Sequence, residues 1–516
     1  MKGRKRGTSG MASITITFDD LERFVDRYSL GYDRGEGSQH FLRAKIPNGI
    51  LTTQQFRGLG EMAEKYGRGY AEITDRQDMQ LHWIDGEDAE NVFAQLERIG
   101  FATDKCGQAY PGARYGDVRN VVGCPVAGLD IQEIFDASQI VREVTGFFTG
   151  NRAYFDLPRK FKMSISGCAI NCTASEIQDL AFAAVRHPDG RVGFSLFAGG
   201  GIGAGARLAD PIDVFVEPKD VLEVARGFVE VYKENGPREA KAKARFKWLV
   251  QSWGTEKLRS MVEQKIGKPL EDFERQVFPI SREHVGVRPQ KEDGYSFVNV
   301  PIMGGILSSR LMGRLSDIAE RYGWPEVRLT AFQNLILVGI RNDEIAKALD
   351  ELRQIGFDAR DHPMMWTTIA CAGNFCGKAP EDLKARAIKI VDHLKTRFGT
   401  TLQDLDLTLA VSGCPNGCAR HLVADIGLQA VQVRKDEETV PAYNLYLGGG
   451  LGKTRALGML VKRGTQADEV SSALEKIVAT YIETREYGES FSDFCRTRSS
   501  DDPSFPQREL QTEAQC

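Results

Sequence analysis

The sequence predicts a mixed α+β or α/β chain, internally duplicated, with four lobes in two pairs around a pseudo-two-fold. Three observations predict it. The two halves match at a nearly constant offset; each half reads strand, helix, strand, helix before a longer mixed segment; and a paired-cysteine motif recurs late in each half. So long a period exceeds that of solenoid repeats and means a duplicated domain pair. A chain of 516 residues is long enough for about three ordinary domains and a large core.

The repeat runs in order along the chain. FLRAKIPNGILTTQQFRGLGEMAEKYG from Phe41 resembles FVNVPIMGGILSSRLMGRLSDIAERYG from Phe297. Gly49 pairs with Gly305, Gln77 with Gln333, and Ile99-Gly100-Phe101 with Ile355-Gly356-Phe357. SISGCAINC then pairs with AVSGCPNGC, so Cys168 and Cys172 answer Cys414 and Cys418, and the glycine runs at 199–201 and 448–450 correspond. Aligned on sequence, Cys124 falls opposite Cys376 and Arg119 opposite Cys371. The first half therefore keeps three of four thiols and puts a guanidinium in the fourth place. A second cluster on Cys106, Cys124, Cys168 and Cys172 is not expected, because Cys106 sits in a loop without a counterpart.

Cys371, Cys376, Cys414 and Cys418 carry the chemistry of the second half. Four thiols in two pairs can close one [4Fe–4S] cluster or one tetrahedral zinc site. Leu405, Leu407, Leu409 and Val411 alternate, so 405–411 reads as a strand that delivers Cys414 and Cys418 to the turn at its end. Cys376 precedes a helix that Pro380 can open, with Leu383, Ala387, Ile390 and Leu394 on one face. Two rigid elements thus present two thiols each, which favours the cluster.

Positive charge gathers on the first half. In AYFDLPRKFKMSIS, Lys160, Lys162 and Ser164 share one face of a period-two strand, with Phe161, Met163 and Ile165 on the other. Arg43 and Lys45 repeat the pattern, and Arg76, Arg114 and Arg119 complete the set. Solvated strand faces explain any one such pair. Several of these charges flank stretches expected to be buried, however, and buried cations need anions. A polycarboxylate cofactor together with a small oxyanion would supply them.

Composition excludes other classes. No apolar run approaches the ~18 residues of a membrane span, and a net charge of −4 argues against a nucleic-acid binder. The basic start, Met1 to Gly10, has no apolar segment behind it and is no secretory signal; an expression scar or an upstream start before Met11 fits it better than a transit remnant. Ten cysteines, most in paired clusters, suit metal binding in a reducing cytoplasm.

The cysteine pattern, the duplication, TDRQ at 74–77, VRNVVGCPVAG from Val118, LPRKFK from Leu157 and SGCPNGC from Ser412 together resemble the sirohaem-containing sulfite and nitrite reductases over roughly residues 20–495. The resemblance implies an α+β fold of two ferredoxin-like half-domains (19–108 and 283–362) and two sirohaem- or cluster-binding domains (109–282 and 363–497), with tails at 1–18 and 498–516. It implies a [4Fe–4S] cluster on Cys371, Cys376, Cys414 and Cys418, with Cys418 bridging to a sirohaem. Arg76, Gln77, Arg114 and Asn120 are its implied cofactor-binding residues, and Arg43, Arg119, Lys160 and Lys162 its implied catalytic donors to the oxyanion.

Within that family sulfite-reducing members tend to carry Lys-x-Lys where plant-type nitrite reductases carry Lys-x-Asn. The sequence Lys160-Phe161-Lys162 therefore points to sulfite, with nitrite as the alternative. The chain departs from the family in its first cysteine pair, C-x4-C in place of C-x5-C, one residue being lost between Asn374 and Phe375. It has no G-x-G-x-x-G after a strand and no further ferredoxin-type cysteine run. The electron donor is thus external, a ferredoxin or else a flavoprotein subunit. A corrin-forming relative of the fold and a non-catalytic zinc or electron-carrier protein are the rival readings; neither accounts for the paired lysines.

Overall fold

The computed structural model describes residues 22–33, 39–105, 116–274, 282–373 and 375–498. Arg114 and Cys106, singled out above, lie outside the described residues. Helix starts follow local chemistry. Thr52 and Gln55 close a capping box on Thr53–Tyr66, with Gln55 N donating to Thr52 Oγ1 at 3.1 Å and Thr52 N to Gln55 Oε1 at 3.0 Å. Its repeat partner Ser309–Tyr322 is capped by Ser308, which accepts from Leu311 N at 3.3 Å. These two amphipathic helices bury Phe56, Leu59, Met312 and Leu315 in one core shared by both half-domains.

That sharing extends from side-chain packing to backbone hydrogen bonding. The first sheet runs Gly31–Tyr32, His40–Lys45, Met79–Ile84, Tyr70–Ile73 and then Ile306–Ser308, borrowed from the second half. The second runs Val287–Pro289, Tyr295–Val300, Leu335–Arg341, Glu326–Leu329 and then Ile50–Thr52, borrowed from the first. The glycines that paired in sequence sit at the crossing. Gly49 has φ 69° and a Cβ there would fall 2.4 Å from Leu329 O; Gly305 has φ 69° and would meet Ile73 O at 2.5 Å. Both the left-handed backbone and the close approach require glycine.

Gln77 and Gln333 lock the same junction reciprocally. Their Nε2 groups donate to Leu329 O (2.9 Å) and Ile73 O (3.2 Å), each in the opposite half. Their Oε1 atoms accept from Gly123 N (2.9 Å) and Ala370 N (3.0 Å).

Two further mixed sheets follow these half-domains. One is ordered Glu271–Asp272, Asp210–Val216, Val192–Ala198, Leu180–Arg186, Met163–Ser166, Val122–Gly123; the other Thr368–Ala370, Leu409–Ser412, Ile426–Lys435, Glu438–Leu447, Met459–Gln466. In both, the strands leading into the cysteine motifs pair in parallel. Helices Val221–Asn235 and Phe246–Ile266 cover the first sheet, and Leu383–Phe398 and Val470–Thr484 the second. Among the described residues no helix is long and apolar enough to cross a membrane.

The ladders correct the sequence register. Gly123 lies opposite Ile165, and Ala370 opposite Val411. Because Ile165 and Val411 each stand three residues before the matched cysteines Cys168 and Cys414, Cys124 answers Cys371, and Arg119 answers Trp366. Cys376 has no counterpart. Strand pairing sets this register, and the two loops beyond it differ in length, which misled the alignment of thiols.

Three local expectations also change. The strand ahead of Cys414 is only Leu409–Ser412, since its partner Thr368–Ala370 offers three residues; Leu405 and Leu407 are buried all the same. The helix after Cys376 starts at Leu383, not at Pro380, because the Asp382 carboxylate caps Lys384 N and Ala385 N. The strand after Lys160 and Lys162 begins only at Met163.

Candidate active site at the junction of the halves

Lys160 and Lys162 alternate with Phe161, whose ring is buried between Tyr232 (5.5 Å) and Phe246 (5.1 Å). Anchoring that ring inward turns both lysines to the opposite face. Asp179 fixes the chain there: its Oδ2 accepts from Lys162 N at 2.8 Å and from Arg245 Nη2 at 2.7 Å. Among the described residues neither ammonium has a hydrogen-bond partner.

Their setting is cationic and shielded. Burial, then the charges of Lys162 and Arg245, push the Lys160 ammonium well below its ordinary range; burial brings Lys162 down to about 8, against the pull of Asp75. Both lysines lie close enough to Cys418 to feel its charge.

Asp75 is the hub of the arrangement, and sequence reading missed it although it stands inside TDRQ. Burial pushes its carboxyl up, but Lys162, Arg420, Arg76 and Arg43 outweigh that and hold it below its ordinary value. Arg420, also missed, donates through Nη2 to Asp75 O (2.6 Å) and Ala331 O (2.8 Å). Being two residues past Cys418, it ties the CPNGC turn to the TDRQ turn and so brings the exposed thiol of Cys418 to the lysine face. Arg245 gave no local signal, lying more than eighty positions from Lys162.

The other cations have partners within the chain, carboxylates for Arg119 and Lys45 and neutral oxygens for Arg43 and Arg76, so a cofactor is not the sole source of anions for the first two. Arg119 faces Asp104 (3.5 Å) and Asp117 (3.3 Å). Lys45 donates to Val118 O at 2.9 Å and lies 3.7 Å from Asp104. Arg43 forks onto Gln80 Oε1 at 2.9 and 2.6 Å. Arg76 donates to Gln178 Oε1 (3.1 Å), Met163 O (3.3 Å) and Asn120 O. Asn120 is wholly buried, its Nδ2 donating to Ile46 O (2.8 Å) and Arg76 O (3.2 Å). Gln77 and Asn120 thus both engage the scaffold.

On the cysteine side, Cys371 follows Thr368–Ala370, and its Sγ accepts from Gly413 N at 3.2 Å, linking the two thiol pairs. Phe375 stacks on His82 (4.0 Å between centroids) and meets Trp83 edge-on (4.8 Å), so the shortened C-x4-C loop is held against the first half-domain. Burial pushes the Cys371 thiol up to about 12 and raises Cys376, and the proximity of Cys418 adds to both. Thiolates so disfavoured are stabilised by a central cation. Among the described residues the one His, Cys, Asp or Glu group drawn tightly enough for a single ion lies elsewhere, at Cys124, Cys168, Cys172 and His284. The more open set Cys371, Cys376, Cys414 and Cys418 therefore suits a cluster better than one zinc.

The pseudo-two-fold shows how one-sided the charge is. In the counterpart positions Asn299 stands for Arg43, Phe332 for Arg76, Trp366 for Arg119, Asp406 for Lys160 and Thr408 for Lys162. A cavity of about 540 Å³ opens there, lined by Phe332, Ile369, Asp406, Thr408 and Ala419 among others. Every one of the five cations has been replaced, so this set of cations belongs to the first-half face, although the cavity on the other side has arginines of its own, Arg282, Arg288, Arg420 and Arg485.

Comparison with known proteins agrees with this geometry. The model of the nitrite and sulphite reductase 4Fe-4S domain matches residues 115–270 and 363–496, and that of the nitrite/sulfite reductase ferredoxin-like half domain matches 32–99 and 288–355. A ferredoxin–nitrite reductase of Leptolyngbya laminosa is 34% identical over 86% of this chain and 87% of its own. Sulfite reductase [ferredoxin] 2 of Mycolicibacterium paratuberculosis is 31% identical over 90% and 84%. The solved structure of the Mycobacterium tuberculosis NirA protein superposes with a TM-score of 0.85 at 28% identity, covering 94% of this chain and 91% of that one. With both domain types matched in duplicate around a shared thiol and lysine face, the chain belongs to the nitrite and sulphite reductase family, whose members carry a sirohaem and a [4Fe–4S] cluster.

Proposed function

We propose that the chain reduces sulfite to sulfide with six electrons from an external ferredoxin. The observation that carries this reading is the pair Lys160 and Lys162, two ammonium groups on one face toward Cys418, without a hydrogen-bond partner among the described residues. Sulfite carries more charge than nitrite and gains more from a second cation. When bound, the sirohaem and the cluster supply the iron that holds the substrate and the path for its electrons.

The chain's own residues do the rest. Cys371, Cys376, Cys414 and Cys418 would hold the cluster, Cys418 at the edge nearest the lysines. Lys160 and Lys162 bind the oxyanion, polarise its S–O bonds and hand on protons as oxygen leaves as water. Arg43 and Arg119 would add positive potential, and Arg76 would meet the cofactor carboxylates, a role the resemblance also gives Arg114. Gln77 and Asn120 hold the junction in place. Free thiols at eight described positions suit a reducing cytoplasm.

Nitrite is the second reading, favoured by the relative at 34% identity named for it. Steady-state kinetics of the holoenzyme on both anions with reduced methyl viologen decides between them. A higher kcat/KM on sulfite is expected, and a higher value on nitrite overturns the assignment. Substituting a reduced ferredoxin for the dye tests the donor, and failure to turn over with it would refute that part.

A further inference from the structure

We infer that Cys124, Cys168, Cys172 and His284 form a closed structural zinc site, distinct from the cluster thiols. The four ligand atoms lie within 4.8 Å of one another and all four side chains are buried. Cys124 Sγ is 3.5 Å and Cys168 Sγ 3.6 Å from His284 Nε2. Bonds of about 2.3 Å to sulfur and about 2.0–2.1 Å to nitrogen, at tetrahedral angles around one zinc, put those donor atoms about 3.5 Å apart. A cubane, with its irons between the thiolates, needs the donors spread more widely.

The surroundings fit a metal-bound imidazole. Asp130 Oδ2 faces the other ring nitrogen, Nδ1, at 3.5 Å, the carboxylate–histidine pairing that orients such a ligand. The His284 main chain is fixed on both sides: its N–H donates to Glu283 Oε1 at 2.9 Å, and its carbonyl accepts from Asn299 Nδ2 at 2.7 Å. Val126, Leu129, Phe297, Ile336 and Val338 close an apolar shell around the thiols. Four protein ligands in a dry shell leave no open position, which marks a structural and not a catalytic site.

Sequence reading expected no second cluster here, and it looked only for a fourth thiol. The fourth donor is an imidazole from the connection between the first cysteine-bearing domain and the second half-domain. Phe297, Ile336 and Val338 come from the sheet of that half-domain, so the ion would staple the two units together.

Three thiols hydrogen-bonded to an imidazole would make the same contacts, and metal content separates the two. Holoprotein from cells supplied with zinc and iron is expected to carry about one zinc per chain besides its iron, with three sulfurs and one nitrogen in the zinc-edge absorption spectrum. Cys168→Ala and His284→Ala should lose that zinc while cluster iron and the visible spectrum persist; His284→Cys should retain it. Wild-type protein without zinc, with oxygen-rich zinc, or with iron in this place overturns the assignment. Should the alanine variants not fold, the wild-type spectrum alone decides.

Discussion

Replacing Lys162 by asparagine removes one positive charge from the lysine face with little else disturbed. The backbone of residue 162 is held by Asp179, with Lys162 N donating to Oδ2 at 2.8 Å and its carbonyl accepting from Asp179 N at 3.0 Å; both bonds survive the substitution. The ammonium leaves no orphaned partner, having none among the described residues. Its pKa, lowered by burial to about 8, keeps it mostly charged at pH 7. What is lost is therefore one charge-assisted contact to the substrate, worth about 1.5–3 kcal/mol. Acting in the transition state, that is about ten- to a hundred-fold in rate. Lys162→Asn should lower sulfite turnover by that factor and spare or raise nitrite turnover, in steady-state kinetics with reduced methyl viologen on both anions. Equal losses on the two anions would mean that Lys162 serves general proton delivery, and the argument for sulfite would lose its main support.

Two further outcomes test the site and its scaffold. Cys418→Ser should abolish magnetic coupling between cluster and sirohaem, and most of the activity, because an alkoxide bridges soft iron poorly; Mössbauer or EPR spectra that still show coupling would remove Cys418 from that role. Asp425 is held at about 6 by burial, although Thr408 N (3.0 Å), Thr408 Oγ1 (2.7 Å) and Ser492 Oγ (3.2 Å) all reach it. A carboxyl raised from about 3.9 favours its neutral form in the folded state, so wild-type stability declines as pH rises from about 4 to 6 and stays reduced above. An asparagine can accept from Thr408 and donate to Ser492 Oγ, whose own proton goes to Gly449 O at 2.7 Å. Asp425→Asn should therefore stabilise the protein by about 1–2 kcal/mol at pH 7, the partly exposed position being discounted for solvent screening, with the gap closing below about pH 4. Denaturant unfolding at both pH values checks it, and a pH-independent difference would refute the burial argument.

Much of the site was legible because its parts are short and local. Lys160-Phe161-Lys162 declares its alternation within three residues, and a single buried aromatic ring realises it. SGCPNGC names the turn that presents Cys414 and Cys418. The compensating anions were not legible. Asp104 and Asp117 meet Arg119 across a stretch with no periodic pattern, and Arg245 reaches Asp179 from sixty-six residues away. Asp75 was hidden for a different reason: its importance lies in how many distant cations it faces, which no neighbouring residue reveals.

The sequence by itself determined the duplication, the α+β class and the two pairs of thiols that are the candidate cluster ligands. The residues responsible are constrained one position at a time: a glycine where a Cβ would strike a carbonyl, a glutamine that must bridge two halves, a cysteine at a strand end. Only the tertiary structure decided the exchange of Ile50–Thr52 and Ile306–Ser308 between sheets, the pairing of Cys124 with Cys371, and the arrival of His284 beside three thiols. Each of these brings together groups separated by more than a hundred residues or moved by a loop of unequal length. Spacing along the chain carries no information about such contacts; strand ladders and close packing do, because they fix distance in space irrespective of distance in sequence.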